Sequence, residues 1–189
     1  ALASVPRERF VPSESIAESA DDRALSLSDD GGSTISALHA YAIAFRALGL
    51  AAGDHFVDLG GGSGYGAALA CQIVGTSGSV LTLELDADLA AQARDHLACH
   101  PQARVLQASA HAVETWRGAS RIYAGFAVEH MPQAWLDALP EGGVLVAPVG
   151  TATDQRLMRY QRHADRIESE ALGAVRYVPD RASPAAISE

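Results

Sequence analysis

A glycine-rich loop follows a short apolar run in the stretch VDLGGGSGYG, residues 57–66. Asp58 stands before the glycines, and a helix is predicted to begin near Tyr65, directly after them. Glycine permits positive φ angles and lets a ligand approach the backbone without a Cβ in the way. The first turn of the helix would add unpaired N–H groups and a positive dipole end. The pattern therefore predicts a loop that holds a ligand flat against its backbone.

Two ligand classes fit the spacing of these residues. The series Asp58, Gly60, Gly62, Gly64 is the acid-x-G-x-G-x-G pattern of S-adenosylmethionine-dependent methyltransferases, and its register against the strand agrees. The dinucleotide pattern in its alanine form is matched only from Gly62, late relative to the strand. Glu84 closes a second predicted strand 20 residues beyond Gly64 and could accept hydrogen bonds from both hydroxyls of a ribose. Glu84 thus supports a nucleoside without choosing between the two classes.

The elements that must position these residues alternate along the chain. Strands are predicted at 55–59, 79–85, 103–109, 121–126 and 143–149, and helices at 39–48, 65–74, 86–98 and 132–139. This alternation predicts an α/β fold in which a parallel sheet is covered on both faces. Residues 155–162 and 166–178 are predicted to form an antiparallel hairpin that closes the sheet, and residues 13–34 an irregular surface segment.

Length and charge limit the partners. The chain has 189 residues, enough for one domain, and a net charge of −9 from 23 acidic and 14 basic residues, with no lysine. Such an acidic surface argues against nucleic acid and anionic membranes as partners. Cys71 and Cys99 fall in predicted helices and are expected to be buried thiols of a reducing compartment. With no membrane-length apolar run or signal peptide, we expect a cytoplasmic monomer.

Six stretches carry a resemblance over essentially the whole chain. They are VPRERFVP (5–12), DRALSL (22–27), STIS (33–36), VDLGGGSGYGAALA (57–70), LPEGGVLVAPVG (139–150) and VRYVPD (175–180). In this order and spacing they resemble the protein-L-isoaspartate O-methyltransferase family. The resemblance implies a Rossmann-like class I methyltransferase fold with an antiparallel C-terminal hairpin. It also implies S-adenosyl-L-methionine as cofactor, S-adenosyl-L-homocysteine as product, and an isoaspartyl or aspartyl carboxylate of a peptide or protein as methyl acceptor.

The resemblance also assigns site residues. Ser36 matches the active-site serine whose hydroxyl helps to hold the acceptor carboxylate, and Val178 matches a position whose backbone does the same. The implied cofactor-binding residues are Thr34, Ile35, His39, Asp58, Gly60, Gly61, Gly62, Ser63, Gly64, Glu84, Ala110 and His111. Residues 1–34 would then be a substrate-side segment, 35–150 a cofactor-binding core, and 151–189 the hairpin and tail of one domain. By its own neighbours, Ser36 is predicted to be a helix N-cap, which is compatible with catalysis.

Three departures from the family pattern stand out. His111 lies where the family has an aspartate that accepts a hydrogen bond from the adenine amino group; a neutral histidine can accept one such bond or stack on the base, or it is a plain loop residue. Glu129 and His130 enter a normally apolar loop, as solvated residues or as a base for a hydroxyl acceptor. On the substrate side, Leu38 replaces a proline, Ala20 an aromatic residue and Asp180 an apolar one, which favours an altered substrate.

Other functions remain open at this point. A small-molecule or modified-peptide O-methyltransferase, a diverged non-catalytic cofactor binder and a nicotinamide dehydrogenase all fit parts of the pattern. The helix face with His96, Cys99 and His100 has zinc-ligand spacing but no fourth ligand in view, so no metal is expected.

Overall fold

Seven strands form one sheet in the computed structural model, which describes residues 1–182. Two short strands precede the sheet, β1 (Leu25–Ser26) and β2 (Thr34–Ile35). The sheet strands are β3 (His55–Leu59), β4 (Ser79–Glu84), β5 (Ala103–Gln107), β6 (Arg121–Ala124), β7 (Val144–Gly150), β8 (Gln155–His163) and β9 (Arg166–Val175). The helices are α1 (Leu38–Leu48), α2 (Tyr65–Val74), α3 (Ala87–Leu97) and α4 (Gln133–Asp137). The predicted tail beyond residue 182 lies outside the described residues.

The strand order is β5-β4-β3-β6-β7-β8-β9. The first five strands in this order run parallel, whereas β8 and β9 pair antiparallel at one edge. This confirms the predicted α/β sheet with its antiparallel C-terminal hairpin. The cause is the length of the connections: the longer ones return the chain to the same end of the sheet before the next parallel strand, while the short turns after β7 and β8 reverse its direction.

A hydrophobic core lies on each face of the sheet, because successive side chains of a strand point to opposite faces. Phe56 of β3 packs in the core with Tyr41 of α1 and Leu69 of α2. The next residue, Val57, packs in the other core with Trp116 and Trp135. Helices therefore cover both faces and leave the ends of the parallel strands as the open edge.

The N-terminal segment is more regular than expected. Within residues 13–34, which were predicted to be irregular, Ser13–Glu18 form a 3-10 helix and β1 pairs antiparallel with β2. Leu25 and Ile35 lie opposite each other in this pair and are both buried. Burial of apolar side chains thus orders a stretch whose composition is polar.

Two further predictions need correction. Helix α1 is capped at its N-terminus by Ala37, without a side-chain cap, so Ser36 is not the N-cap residue. Cys71 is buried, and its burial raises the pKa of its thiol to about 12, but Cys99 is exposed. Among residues 1–182, none of the helices has the length and apolar character needed to cross a membrane.

Candidate active site

A cleft opens where β3, β4 and β5 end, and we call it the glycine-loop cleft. Its volume is about 560 Å³ with the open mouth included. Its walls include Gly60, Gly62, Glu84, Ala108, Ser109, Ala110, Phe126, Val178 and Asp180. Parallel α/β sheets bind ligands beyond the carboxyl ends of their strands, so the cleft lies where a cofactor is expected.

The glycine loop is shaped by its own protein neighbours as well as by the space that it lines. Gly60 and Gly62 have φ angles of 75° and 55°, and the N–H groups of Gly60 and Gly61 donate to the carbonyl of Leu83 at 2.8 and 3.1 Å. A Cβ on Gly60 would lie 2.5 Å from Cδ1 of Phe126, and one on Gly61 would overlap the Thr82 hydroxyl. The glycines therefore also make room for neighbouring protein side chains. The sequence alone had indicated only that they make room for a ligand.

Glu84 is fixed beside this loop. Its side chain lines the glycine-loop cleft, with Oε2 accepting from the Gly62 N–H at 2.7 Å and Oε1 from the Asp86 N–H at 2.9 Å. Each carboxylate oxygen keeps a further lone pair that can accept a hydrogen bond. A pre-oriented carboxylate of this kind fits the two hydroxyls of a ribose, so the cleft suits the adenosyl group that the sequence implied.

Asp58 lies under the loop, in a small hollow of about 290 Å³ that we call the connecting hollow. Its side chain is buried, and burial, followed by the negative charge of Glu84, raises the pKa of Asp58 to about 7. Ser63 lines the same hollow, and its buried hydroxyl finds no hydrogen-bond partner within residues 1–182. A cationic group in the hollow would thus stabilise the ionised form of Asp58, and the Ser63 hydroxyl is available to bond to a ligand.

Ser36 stands between the connecting hollow and a second cleft, which we call the Ser36 cleft. Ser36 is 8% exposed and lines both spaces, while Thr34 lines the glycine-loop cleft as well. The Ser36 cleft has a volume of about 1320 Å³ with its open mouth included, and its walls include Asp22, Arg23, His39, Ile43, Arg176 and Tyr177. Strand β2 therefore separates two spaces that meet at Ser36.

Arg7 holds this wall in place, and the sequence analysis did not single it out. Its guanidinium is buried and donates to the carbonyls of Ser19 at 3.1 Å, Asp21 at 3.0 Å, Arg23 at 2.8 Å and Ser36 at 2.9 Å. Burial lowers the pKa of Arg7 from its ordinary value. The signal that could have revealed it is an arginine between apolar residues and prolines in VPRERFVP.

His39 lies on the Ser36 side of the molecule and does not line the glycine-loop cleft. Its Nδ1 is 2.9 Å from Oδ1 of Asp22, and its backbone N–H donates to the same oxygen at 2.9 Å. These contacts lower the pKa of Asp22, the backbone bond most. His39 therefore lies at the mouth of the Ser36 cleft, and its contact with the cofactor stays a prediction.

His111 and Asp180 exchange their expected places. His111 does not line the glycine-loop cleft; its Nε2 is 2.7 Å from Oδ2 of Asp180, and its ring packs near Trp135 with centroids 5.5 Å apart. Asp180, expected on the substrate side, is buried and lines the glycine-loop cleft. The pair was invisible in the sequence because 69 residues separate its members.

The other predicted site residues fall into three places. Ala110 and Val178 line the glycine-loop cleft, and Ile35 lines the connecting hollow. Val178 was expected beside the acceptor, but it lies in the glycine-loop cleft, and its carbonyl accepts from the Ala127 N–H at 2.8 Å. Gly64 lines neither space; it precedes α2, where a Cβ would lie 3.2 Å from that of Ala93.

The remaining candidates do not join the site. Glu129 and His130 are exposed and line neither the connecting hollow nor either cleft. His96 instead places Nδ1 2.7 Å from the carbonyl of Ser63 and supports the glycine loop from α3. Within the described part of the chain, no three His, Cys, Asp or Glu side chains come together as a metal site, so the spacing of His96, Cys99 and His100 leads to none there.

The similarity to known proteins extends over nearly all of the residues that form the fold. The family described as protein-L-isoaspartate(D-aspartate) O-methyltransferase matches residues 1–183. A protein-L-isoaspartate O-methyltransferase of Methanococcus aeolicus is 34% identical over 182 residues, which cover 95% of this chain and 83% of that protein. One from a Bradyrhizobium species is 35% identical over 184 residues, with 95% and 83% covered.

Two solved structures share the fold. A protein-L-isoaspartate O-methyltransferase aligns with a TM-score of 0.84 at 23% identity, covering 93% of this chain and 58% of its own. A putative one from Plasmodium falciparum, solved in complex with S-adenosyl-L-homocysteine, aligns with a TM-score of 0.81 at 20% identity and covers 96% of this chain and 88% of its own. These alignments confirm the predicted Rossmann-like class I methyltransferase fold. By the match along its whole length, the chain belongs to the protein-L-isoaspartate(D-aspartate) O-methyltransferase family.

Proposed function

We propose that the protein is an S-adenosyl-L-methionine-dependent carboxyl O-methyltransferase that acts on an isoaspartyl or aspartyl carboxylate in a peptide or protein. The observation that carries this proposal, in a chain of this family, is a continuous series of spaces: the glycine-loop cleft shares Gly60 and Thr34 with the connecting hollow, and the hollow meets the Ser36 cleft at Ser36. One cleft has the loop and carboxylate that suit an adenosyl group, and the other is wide enough for a peptide side chain with its neighbours.

The cofactor supplies a methyl group on a sulfonium and leaves as S-adenosyl-L-homocysteine. For their part, Gly60 and Gly62 offer a surface free of side chains, and Glu84 accepts hydrogen bonds from the ribose. Asp58 lies beneath the loop, and a cationic group beside it would favour its ionised form, so it suits the positively charged methionine end. These residues bind and orient; none of them needs to move a proton.

The acceptor side needs hydrogen-bond donors and no general base. A carboxylate is ionised at neutral pH, so alignment of its oxygen with the methyl group accounts for most of the rate. The Ser36 hydroxyl is the donor for that carboxylate in this proposal, which its position between the connecting hollow and the Ser36 cleft supports. Arg176 lies along the same cleft and can attract an anionic acceptor, although Asp22 lines the cleft too and Arg23 is paired with Glu18 and Asp21.

The rival functions gain no support from these positions. A small-molecule enzyme that uses Glu129 or His130 as a base would need one of them beside Ser36, and both are exposed outside the described clefts. A peptide or protein is the partner that family membership supports. The cytoplasmic location, the monomeric state, the absence of nucleic-acid binding and the three-part division of the domain stay predictions.

A methyl-transfer assay tests the proposal directly. Labelled S-adenosyl-L-methionine is supplied with an isoaspartyl peptide, and with the same peptide carrying aspartate as the comparison. We expect base-labile label in the isoaspartyl peptide, and a Ser36→Ala variant with kcat/KM lower by roughly 10- to 100-fold, the value of one hydrogen bond to a charged group. Ser13→Ala, at an exposed serine far from both clefts, is the matched control. Transfer to neither peptide would exclude general isoaspartyl methylation.

A further inference from the structure

A buried carboxylate lines the glycine-loop cleft, a space that Ser36 does not line. Asp180 is 7% exposed, and its Oδ1 accepts from the Ala182 N–H at 2.9 Å while Oδ2 lies 2.7 Å from Nε2 of His111. The backbone around it is also fixed, because its N–H donates to the Ala127 carbonyl at 2.8 Å. Each oxygen thus keeps capacity for another donor, in a side chain that has little freedom to turn away.

The order of strands shows which part of a nucleoside reaches this carboxylate. Strands β5, β4 and β3 lie side by side, and Glu84 ends the middle one. With the ribose at Glu84 and the reacting end toward Ser36 beyond β3, the base extends over the end of β5. Ala108, Ser109 and Ala110 follow β5 and line the cleft there, and the Asp180 side chain reaches this end through its bond to His111. Asp180 is thus a carboxylate beside small side chains, as suits an aromatic base with a single amino donor.

We propose that Asp180 reads the 6-amino group of adenine, and that His111 is the residue that positions its carboxylate. The inference rests on the proposed cofactor, and it names the specificity determinant of that site. His111 contributes through its hydrogen bond from outside the cleft and does not itself touch the base. Arg181, the other charged neighbour in this wall, donates to the Ser33 hydroxyl at 3.1 Å and leaves Asp180 available.

The alternative is that the pair only fastens the segment after β9 to the loop after β5. A fastening would support every ligand equally, whereas a reader of the amino group discriminates between bases. The test therefore compares two ligands by calorimetry: S-adenosyl-L-homocysteine, and its purine analogue in which hydrogen replaces the 6-amino group. Unlike hypoxanthine, this analogue removes the donor without adding another.

For the wild type we expect the analogue to bind roughly 10- to 100-fold more weakly, as for loss of one hydrogen bond to a charged acceptor. Asp180→Leu keeps the volume and removes the carboxylate, so the ratio of the two dissociation constants should fall to about 1. His111→Ala should lower the ratio in part, and His111→Gln, which retains a donor, should restore some of it. Asp165→Asn, at an exposed acid in the β8–β9 turn, should leave the ratio unchanged.

The outcomes separate this inference from the proposed function. Tight binding of both ligands with a wild-type ratio near 1 overturns the role of Asp180 and leaves the cofactor standing. A large ratio that persists in Asp180→Leu also overturns it, because another group must then read the base. If the wild type binds neither ligand, the proposed function fails together with the inference. Should Asp180→Leu not fold, the wild-type ratio and the His111 variants still decide.

Discussion

The two sides of the candidate site are held in place by different means. On the cofactor side, the glycine loop, Leu83 and Glu84 bond to one another within a strand–helix–strand unit. On the acceptor side, the wall that carries Ser36 depends on Arg7, which bonds to carbonyls 12 to 29 residues further along the chain. The cofactor side is held by several hydrogen bonds between neighbouring elements. The acceptor side is held by the long-range hydrogen bonds of one arginine.

This difference shows where a side chain can be exchanged without loss of the site. Backbone bonds of the cofactor side survive changes in most side chains, because the donors and acceptors belong to every residue. Arg7 is the donor that the carbonyls of Ser19, Arg23 and Ser36 share, and these would lose it, whereas the Asp21 carbonyl also accepts from the Arg23 N–H. We therefore expect the acceptor side to fail first when a single residue is replaced.

Arg7→Met gives the largest expected effect. The variant keeps much of the side-chain length but leaves the carbonyls of Ser19, Arg23 and Ser36 without this donor, at a cost of about 3 kcal/mol or more. For a chain of 189 residues this corresponds to a fall in Tm of roughly 6–12 °C. Trypsin should then cleave after Arg9 and Arg23, and mass spectrometry of the digest locates the opening in residues 1–36.

Arg9→Met is the matched control, because Arg9 lies in the same 3-10 helix and is exposed. It should keep the wild-type Tm and digestion pattern apart from its own cleavage site. Equal Tm values for Arg7→Met and the wild type would show that the acceptor side is not clamped by Arg7, and the contrast between the two sides would disappear.

Asp58→Asn tests the cofactor side through pH. Burial raises the pKa of Asp58 to about 7, so its contribution to stability is present below the unfolded pKa near 4 and is lost as pH rises through 7. Between pH 5 and pH 8 the wild type should lose about 2.5 kcal/mol relative to Asp58→Asn. Tm is measured across this pH range for both proteins. Groups that titrate equally in the two proteins do not contribute to the difference between their Tm values.

Asp95→Asn, at an exposed acid of α3, should follow the wild-type curve at every pH. Parallel curves for the wild type and Asp58→Asn would mean that Asp58 titrates normally in the folded protein. The buried carboxylate of Asp58 would then be ionised in the folded protein at no cost in stability. The expected tolerance of the cofactor side to substitutions would need another explanation.

The same contrast explains how far the sequence could be interpreted. Strand and helix periodicity predicted β3, α2 and β4 closely, and Glu84 and the glycine loop were placed because their spacing is local. Arg7 and the pairing of His111 with Asp180 were missed, since they depend on residues brought together only by the fold. The sequence could not locate the His39 side chain for a related reason: a position next to a motif does not say which of two adjoining clefts a side chain lines.

His39→Ala is the smallest expected effect, at the outer end of the acceptor side. His39 and Asp22 are both more than half exposed, and exposed ion pairs contribute little to stability. Tm and the dissociation constant for S-adenosyl-L-homocysteine should therefore match the wild type. The Asp22 carboxylate at the rim of the cleft loses its side-chain partner, and a charge at the rim mainly affects encounter, so KM for an anionic peptide should rise roughly two- to fivefold, less so at high salt.

His163→Ala removes a comparable exposed pair, in which Nε2 lies 3.5 Å from a carboxylate oxygen of Glu168, but far from both clefts. It should change neither KM nor affinity for the cofactor product. A His39→Ala variant that instead binds S-adenosyl-L-homocysteine weakly, with KM unchanged, would return His39 to the cofactor. In that case a residue that lines the Ser36 cleft would affect binding in the glycine-loop cleft, so β2 and Thr34 would not fully separate the two clefts.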